Sequence, residues 1–155
     1  MASVEIKALH QSDAVALAPL IAAYAQQIRR GAPRRPDKFY AEKLTADRTA
    51  EVLGAFADGQ LVGFAVFFDL PDPITGYRQG QLSDLFVEPD HRGRGIGREL
   101  VGALVAEGQT RGWAALRWLV SERNEGGVAF SRSLGQPSRA HAFEITIDRL
   151  ANGGL

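Results

Sequence analysis

The chain has 155 residues, the length of one compact domain, since a second core would take roughly 100 more. Apolar residues make up 45% and charged residues 23%, and 18 basic side chains balance 18 acidic ones, which excludes wholesale disorder and the overall positive field that duplex nucleic acid or an anionic membrane demands. No cysteine is present, so disulfides, thiolate metal sites and a cysteine nucleophile are excluded as well.

Val4 to Leu9 alternates apolar and polar residues, the period of a half-buried strand. Ser12-Asp13 offers a helix N-cap, and Leu17, Leu20, Ile21, Tyr24 and Ile28 recur at helical spacing. Gly31, Pro33 and Pro36 break that helix, and residues 37–44 read as a second, shorter one with Phe39, Tyr40 and Leu44 on its apolar side. Around the break stand Arg29, Arg30, Arg34, Arg35 and Lys38, either a solvated basic loop or a contact for an anionic ligand. Residues 51–57 and 60–70 are apolar, aromatic-rich runs joined by Asp58-Gly59, a pair suited to the two positive φ angles of a type I′ hairpin turn. A long loop over 71–80 follows, then a strand over 81–88 that Pro89 stops. Leu100, Val101, Leu104 and Val105 mark a helix over 95–108, Trp113 to Val120 is strand-like, and 124–134 is a helix diluted by Gly126-Gly127. His141 to Ile147 alternates again and predicts a last strand. The order β-α-α-β-β-β-α-β-α-β gives an α/β fold, a single domain over 1–155. Its mixed, mostly antiparallel central sheet is flanked by helices, with a parallel junction where the helix at 95–108 crosses over. His10, His91 and His141 have no metal-ligand spacing, no apolar run approaches a membrane span, and Met1 to Glu5 does not read as a signal peptide. The expectation is a soluble cytoplasmic protein that binds neither nucleic acid nor membrane.

The stretch from Leu82 to Arg98 carries the chemistry. A strand enters a short loop in which Gly93, Gly95 and Gly97 alternate with Arg92, Arg94 and Ile96, and the loop enters an amphipathic helix that opens with Arg98. The first helical turn leaves N–H groups unpaired, glycines let a ligand approach the backbone, and the helix dipole favours negative charge there. Arginine guanidiniums add charge-assisted hydrogen bonds of about 1.5–3 kcal/mol each in good geometry. The pattern points to a pyrophosphate-bearing cofactor. A P-loop would need a Lys-Ser/Thr pair after the glycines, and none follows. The dinucleotide fingerprint would need glycine at Arg98 and an acidic residue where Arg117 and Trp118 stand.

Arg92-Gly93-Arg94-Gly95-Ile96-Gly97, preceded by Asp84-Leu85-Phe86-Val87-Glu88-Pro89 and followed by a helix, resembles the GCN5-related N-acetyltransferase (GNAT) superfamily. The six residues match its Arg/Gln-x-x-Gly-x-Gly/Ala signature for acetyl-CoA. The resemblance covers nearly the whole chain in element order. It implies an acyltransferase that moves an acetyl group from acetyl-CoA to a primary amine by direct attack in a ternary complex, releasing coenzyme A without a metal. It implies that the strand before the signature splays from the parallel strand at 113–120, with the thioester in the gap. The backbone of Phe86 and Val87 would then hold the acetyl carbonyl and pantetheine arm. The residues from Arg92 through Gly93, Arg94, Gly95, Ile96 and Gly97 to Arg98 would hold the pyrophosphate, and Asn124 would touch the cofactor arm. A backbone N–H aimed at the developing oxyanion is the kind of donor whose loss costs roughly a hundredfold or more in rate.

The acid and base are less conventional. The family commonly places a tyrosine seven residues after the asparagine, where this chain has Ser131, and the phenylalanine that usually follows Leu134-Gly135 is Gln136. A thiol with pKa near 8.5 is a tolerable leaving group, so Ser131 serves either as a cofactor hydrogen bonder or as a helix-surface residue. An amine of pKa near 10 must lose a proton before attack. Asp84 is the candidate base, because a carboxylate in a central strand is expensive without a role or a partner; a structural pairing with an arginine is the other reading. Glu88 and His91 are lesser candidates. Tyr24, Tyr40 and the 71–80 loop fall where the family lines its acceptor site, although helix-face tyrosines also serve the core. The expected acceptor is a small-molecule or amino-acid amine, with a peptide or protein N-terminus and a non-catalytic acyl-CoA-binding module as alternatives. A homodimer is expected from the habit of the family.

Overall fold

The computed structural model describes residues 3–28 and 37–147. Its elements are β1 (Val4–Ala8), α1 (Ala14–Gln27), α2 (Asp37–Ala46), β2 (Glu51–Ala57), β3 (Gln60–Pro71), β4 (Arg78–Val87), α3 (Ile96–Arg111), β5 (Trp113–Trp118) and α4 (Glu125–Leu134). The strands form one sheet in the order β1-β2-β3-β4-β5, antiparallel from β1 to β4, with β5 parallel to β4 across α3. The chain divides into two compact units, Met1–Leu119, which holds the sheet and α1 to α3, and Val120–Leu155, which holds α4. Arg29, Arg30, Arg34 and Arg35 lie outside the described residues, while Lys38 pairs with Glu42 one turn on, at 3.3 Å.

The side-chain period of two along the strands sorts the sheet into two faces. Val52, Phe64, Val66 and Phe86 point to one face, where Leu17, Ala18 and Leu20 of α1 and Ala41 of α2 bury themselves against them. The alternate residue Phe67 points to the other face and meets the Trp113 ring with centroids 6.0 Å apart. A Cβ on Gly108 of α3 would lie 2.6 Å from that indole, so α3 approaches β5 closely only because a glycine stands there. The β2–β3 turn is the expected one, with φ of 50° at Asp58 and 78° at Gly59.

Several boundaries differ from the sequence expectation: α2 runs on to Ala46 and α3 to Arg111, and the strands differ more. β3 and β4 stay paired through Pro71 opposite Arg78, so the long loop shrinks to 72–77. Asp72 organises it: one carboxylate oxygen accepts the Ile74 N–H at 3.0 Å and the other the Thr75 hydroxyl at 2.8 Å. These bonds, the Ile74 amide first, hold the Asp72 carboxyl below its ordinary pKa. β5 stops at Trp118 rather than at Val120. The predicted strand over 141–147 does not form: no ladder pairs these residues, and Phe143, Ile145 and Ile147 are 92%, 86% and 76% exposed. Alternation makes a segment ready for a sheet, but a strand exists only where a neighbouring edge accepts its hydrogen bonds.

The start of β4 is held by a polar network on the α3 side. Arg111, in the last turn of α3, forks onto Glu51 of β2 at 2.6 and 2.8 Å and also bonds Glu107 at 3.0 Å. Asp69 at the end of β3 accepts the Arg78 guanidinium at 2.8 Å and the Trp113 indole N–H at 3.0 Å. Burial pushes the Asp69 carboxyl up, but the bonds from Arg78 and Trp113 and the charges of Arg78 and Arg111 outweigh it and leave the pKa lowered. The Arg111 pKa is raised, chiefly by its bonds to Glu51.

Candidate active site

The second half of β4 departs from regular pairing. Val66 faces Asp84 and Phe67 faces Leu82, so Ser83 is an extra residue, a β-bulge. Pairing with β5 ends at the same place, with Leu82 opposite Trp118. A bulge bends its strand and raises the local twist, and from Ser83 onward β4 has a strand neighbour on one side only, among the described residues.

The ladder with β3 determines which backbone groups face the open side. The Glu88 N–H bonds the Val62 carbonyl at 2.8 Å, and hydrogen-bonded pairs alternate along an antiparallel ladder. The backbone groups of Phe86 and Asp84 therefore face β3, so the Phe86 backbone is spent on the ladder and does not face the open edge where the resemblance placed it. A Cβ on Gly63 would lie 2.9 Å from the Phe86 carbonyl oxygen, in keeping with that direction. The N–H and C=O groups of Leu85 and Val87 point the other way, to the edge that β5 has left. The Val87 carbonyl there accepts the Arg92 Nε–H at 2.8 Å, which leaves the Val87 N–H and both backbone groups of Leu85 directed into the gap. Leu85 is a candidate site residue that sequence reasoning missed, because nothing local to it signals a bulge two residues earlier.

Asp84 lies beside this edge on the α1 face and is half-buried. Oδ1 accepts the Tyr24 hydroxyl at 2.8 Å and Oδ2 accepts the Ser83 hydroxyl at 2.7 Å. In a regular strand Ser83 and Asp84 would point to opposite faces; the bulge lets them touch. Among the described residues the carboxylate is held by a phenol and a serine hydroxyl rather than by an arginine. Tyr24 is set by its own packing, edge-on to Phe64 at 5.8 Å and tilted on Phe86 at 5.7 Å. Gln27, three residues on along α1, accepts a second bond from the Arg92 guanidinium at 2.5 Å. The i, i+3 spacing of Tyr24 and Gln27 puts both on the helix face turned to β4. That spacing was the available signal for Gln27, a residue absent from the sequence expectation.

The glycine-rich loop has the conformation its composition requires. Gly93 and Gly95 have φ of 76° and 82°, left-handed values that an L side chain adopts only with strain. Gly95 caps α3 without a side-chain bond. The first intrahelical bond runs from the Glu99 N–H to the Gly95 carbonyl at 3.0 Å, so the amides of Ile96 and Gly97 have no intrahelical acceptor. Among the described residues, chain neighbours aside, no atom lies within 4 Å of a Cβ built on Gly93 or Gly95, so the space beside these two glycines is open. Buried Ile96 anchors the turn in the core. Arg94 and Arg98 are exposed. The Arg92 guanidinium is committed elsewhere, to Val87, Gln27 and the Phe86 ring at 5.6 Å, so it ties the loop to β4 and α1. Glu88 and His91 sit together at the strand end, with His91 Nδ1 3.9 Å from the Glu88 carboxylate, beyond hydrogen-bond reach.

In the second unit, Asn124 caps α4, its Oδ1 accepting the Gly127 N–H at 3.0 Å. Ser131 is half-buried in α4, and its carbonyl accepts the Gly135 N–H at 2.9 Å. Tyr40 lies on α2, with Lys43, Leu44, Asp47 and Phe68 around a shallow cavity of about 350 Å³. Among the described residues no group of three or more His, Asp or Glu side chains could hold a metal ion, and no helix is long and apolar enough to cross a membrane.

An open strand edge beside an uncapped, glycine-lined helix N-terminus can receive a ligand that carries both an extended amide arm and a diphosphate, as coenzyme A does. Comparison with known proteins agrees. The crystal structure of ribosomal-protein-alanine N-acetyltransferase from Brucella melitensis biovar Abortus 2308 superimposes with a TM-score of 0.88 at 42% identity, over 94% of this chain and 100% of that one. An aminoglycoside acetyltransferase from an uncultured soil metagenomic sample shares the fold, with a TM-score of 0.80 at 19% identity over 94% of this chain and 97% of that one. The L-amino acid N-acyltransferase MnaT of Escherichia coli (strain K12) is 30% identical over 84 residues, 54% of this chain and 48% of that protein. Thialysine N-epsilon-acetyltransferase of Sus scrofa is 28% identical over 104 residues, 65% of this chain and 61% of that protein. The chain thus spans less than two thirds of the length of these curated relatives. The profile of the acetyltransferase (GNAT) family matches residues 19–136, most of the chain and the whole of β4, its bulge and the loop, and the chain belongs to that family.

Proposed function

We propose that this protein is an acyltransferase that moves the acetyl group of acetyl-CoA to the primary amine of a small molecule or amino acid in the cytoplasm, as a single domain over 1–155. The observation that carries the reading is the open edge at Leu85 and Val87, continuous in sequence with the uncapped amides of α3. Acetyl-CoA supplies the thioester carbon that the amine nitrogen attacks, with the sulfur leaving as the coenzyme A thiol. The chain's own groups do the rest. Main-chain groups of Leu85 and Val87 accept and donate along the pantetheine arm and toward the thioester oxygen, where a preorganised donor acts most strongly as charge develops. The amides from Gly93 to Gly97, with Arg94 and Arg98, hold the diphosphate. Asp84 takes the proton that an ammonium must lose before its nitrogen can attack. The assignments of Asn124 to the cofactor arm and of Ser131 to the departing thiol rest on the family resemblance.

The acceptor has a second reading. The Brucella relative, at 42% identity, is described as acting on a ribosomal protein's alanine, whereas MnaT is described as an L-amino acid N-acyltransferase. Free amino acids and protein N-termini both present an α-amine, the acceptor group proposed here. A homodimer is proposed on separate grounds: the alternating segment 141–147 exposes Phe143, Ile145 and Ile147, and a second copy would supply the edge it needs.

The deciding experiment is calorimetric titration with acetyl-CoA, followed by a thiol-release assay against amines, free amino acids and short peptides with N-terminal alanine. Binding with turnover on an α-amine is expected, and light scattering of the same preparation should give twice the chain mass. Absence of heat with either free or acetylated coenzyme A would end the reading. Binding without turnover across the panel would replace it with a non-catalytic acyl-CoA-binding module.

A further inference from the structure

We infer that Tyr24 is the positioning residue for Asp84, so that α1 sets the orientation of the base; the inference rests on the proposed role of Asp84. Two donors hold the carboxylate, one on each oxygen: Tyr24 on Oδ1 at 2.8 Å and Ser83 on Oδ2 at 2.7 Å. One bond would leave the carboxyl free to rotate about its Cβ–Cγ bond, whereas a donor on each oxygen fixes its plane. Each oxygen keeps a further lone pair for an incoming ammonium. The two donors differ in rigidity. Ser83 is exposed and lies in the bulge. The phenol of Tyr24 stands on a ring gripped between Phe64 and Phe86, at 5.8 and 5.7 Å, and Phe64 is fully buried in the core. Tyr24 therefore carries the rigidity of the core to the carboxylate, as positioned catalysis requires, where misplacement of about 1 Å is costly.

Tyr24 also explains why a tyrosine stands on the sheet-facing side of α1. Phenylalanine would fill the same aromatic cluster; only the hydroxyl distinguishes the two, and it donates to Asp84.

The test is a kinetic cycle of Tyr24→Phe, Asp84→Asn and the double variant, with kcat, the KM for acetyl-CoA and the midpoint of thermal unfolding measured for each. Tyr24→Phe keeps the ring and removes one oxygen. The inference expects kcat to fall about tenfold, with the acetyl-CoA KM and the unfolding midpoint unchanged, and expects the double variant to match Asp84→Asn alone. If Tyr24→Phe retains wild-type kcat while Asp84→Asn loses activity, the positioning role is overturned and the base survives. If the losses of the two variants multiply, Tyr24 acts through another group and the inference fails. If kcat falls only in step with the unfolding midpoint, Tyr24 is a packing residue. If Asp84→Asn keeps full activity, the base assignment itself fails, and the inference with it.

Discussion

The two halves of β4 are neighbours in one strand and opposites in chemistry. From Arg78 to Leu82 the strand pairs on both sides, and the charged groups around it satisfy one another: Asp69 with Arg78 and Trp113, Arg111 with Glu51 and Glu107. From Ser83 to Val87 one edge has no strand partner among the described residues, and the loop beyond it ends in amides that no described side chain caps. The first half puts its hydrogen-bonding capacity into the fold, while the second leaves part of it open on the edge proposed to take the coenzyme. One extra residue, Ser83, separates them. Precision at the second half depends on saturation at the first, because an open edge keeps its geometry only if the strand is anchored elsewhere.

Substitutions that act on one half alone test this division. The largest effect is expected from Gly80→Val. A Cβ at Gly80 already overlaps the Trp113 ring, and overpacking of this kind destabilises by about 1–3 kcal/mol, occasionally more. Denaturant unfolding should show that loss while affinity for acetyl-CoA, measured below the transition, stays within twofold; a loss of affinity at unchanged stability would mean that the halves are not separable. Gly95→Val makes the reverse test. A Cβ there meets no described atom within 4 Å, chain neighbours aside, but it stands at φ of 82° at the start of α3. Calorimetry should show acetyl-CoA binding weakened at least tenfold, about 1.4 kcal/mol, and unchanged affinity would remove the loop from the site. The smallest effect concerns acid. The folded-state pKa of Asp69 is lowered, so its contribution is present above the unfolded-state value near 3.9 and is lost as pH falls through the folded value. Asp69→Asn should therefore flatten the decline in stability below about pH 4. A pH profile of unfolding that is superimposable on the wild type would show that the first half does not rely on this carboxylate.

Much of this was legible in one dimension. The hairpin at Asp58-Gly59, the parallel crossover through α3 and the glycines at 93 and 95 follow from turn chemistry, periodicity and the need for positive φ, all local properties. Asp84 stood out because a carboxylate in a central strand needs a reason. Three features were not legible. Arg92 looks equivalent to Arg94 and Arg98 as a partner for phosphate, yet it bonds Val87 and Gln27, and only the fold brings α1 within its reach. Residues 141–147 carry a strand's alternation without a strand, because pairing belongs to two segments and not to one. The Ser83 bulge has no local signature, since it arises from the register that β3 imposes on β4.

The sequence by itself determined that this chain folds as a mixed α/β sheet with a glycine-rich turn into α3, because φ preferences, caps and hydrophobic periods act over a few residues and are written where they act. The tertiary structure alone decided which backbone groups of β4 face the gap, that a tyrosine of α1 and a serine of the bulge hold Asp84, and that Arg92 ties the loop to β4 and α1. Those are matters of register and approach between segments distant in the chain, set by packing the two faces of the sheet, and no local preference encodes them.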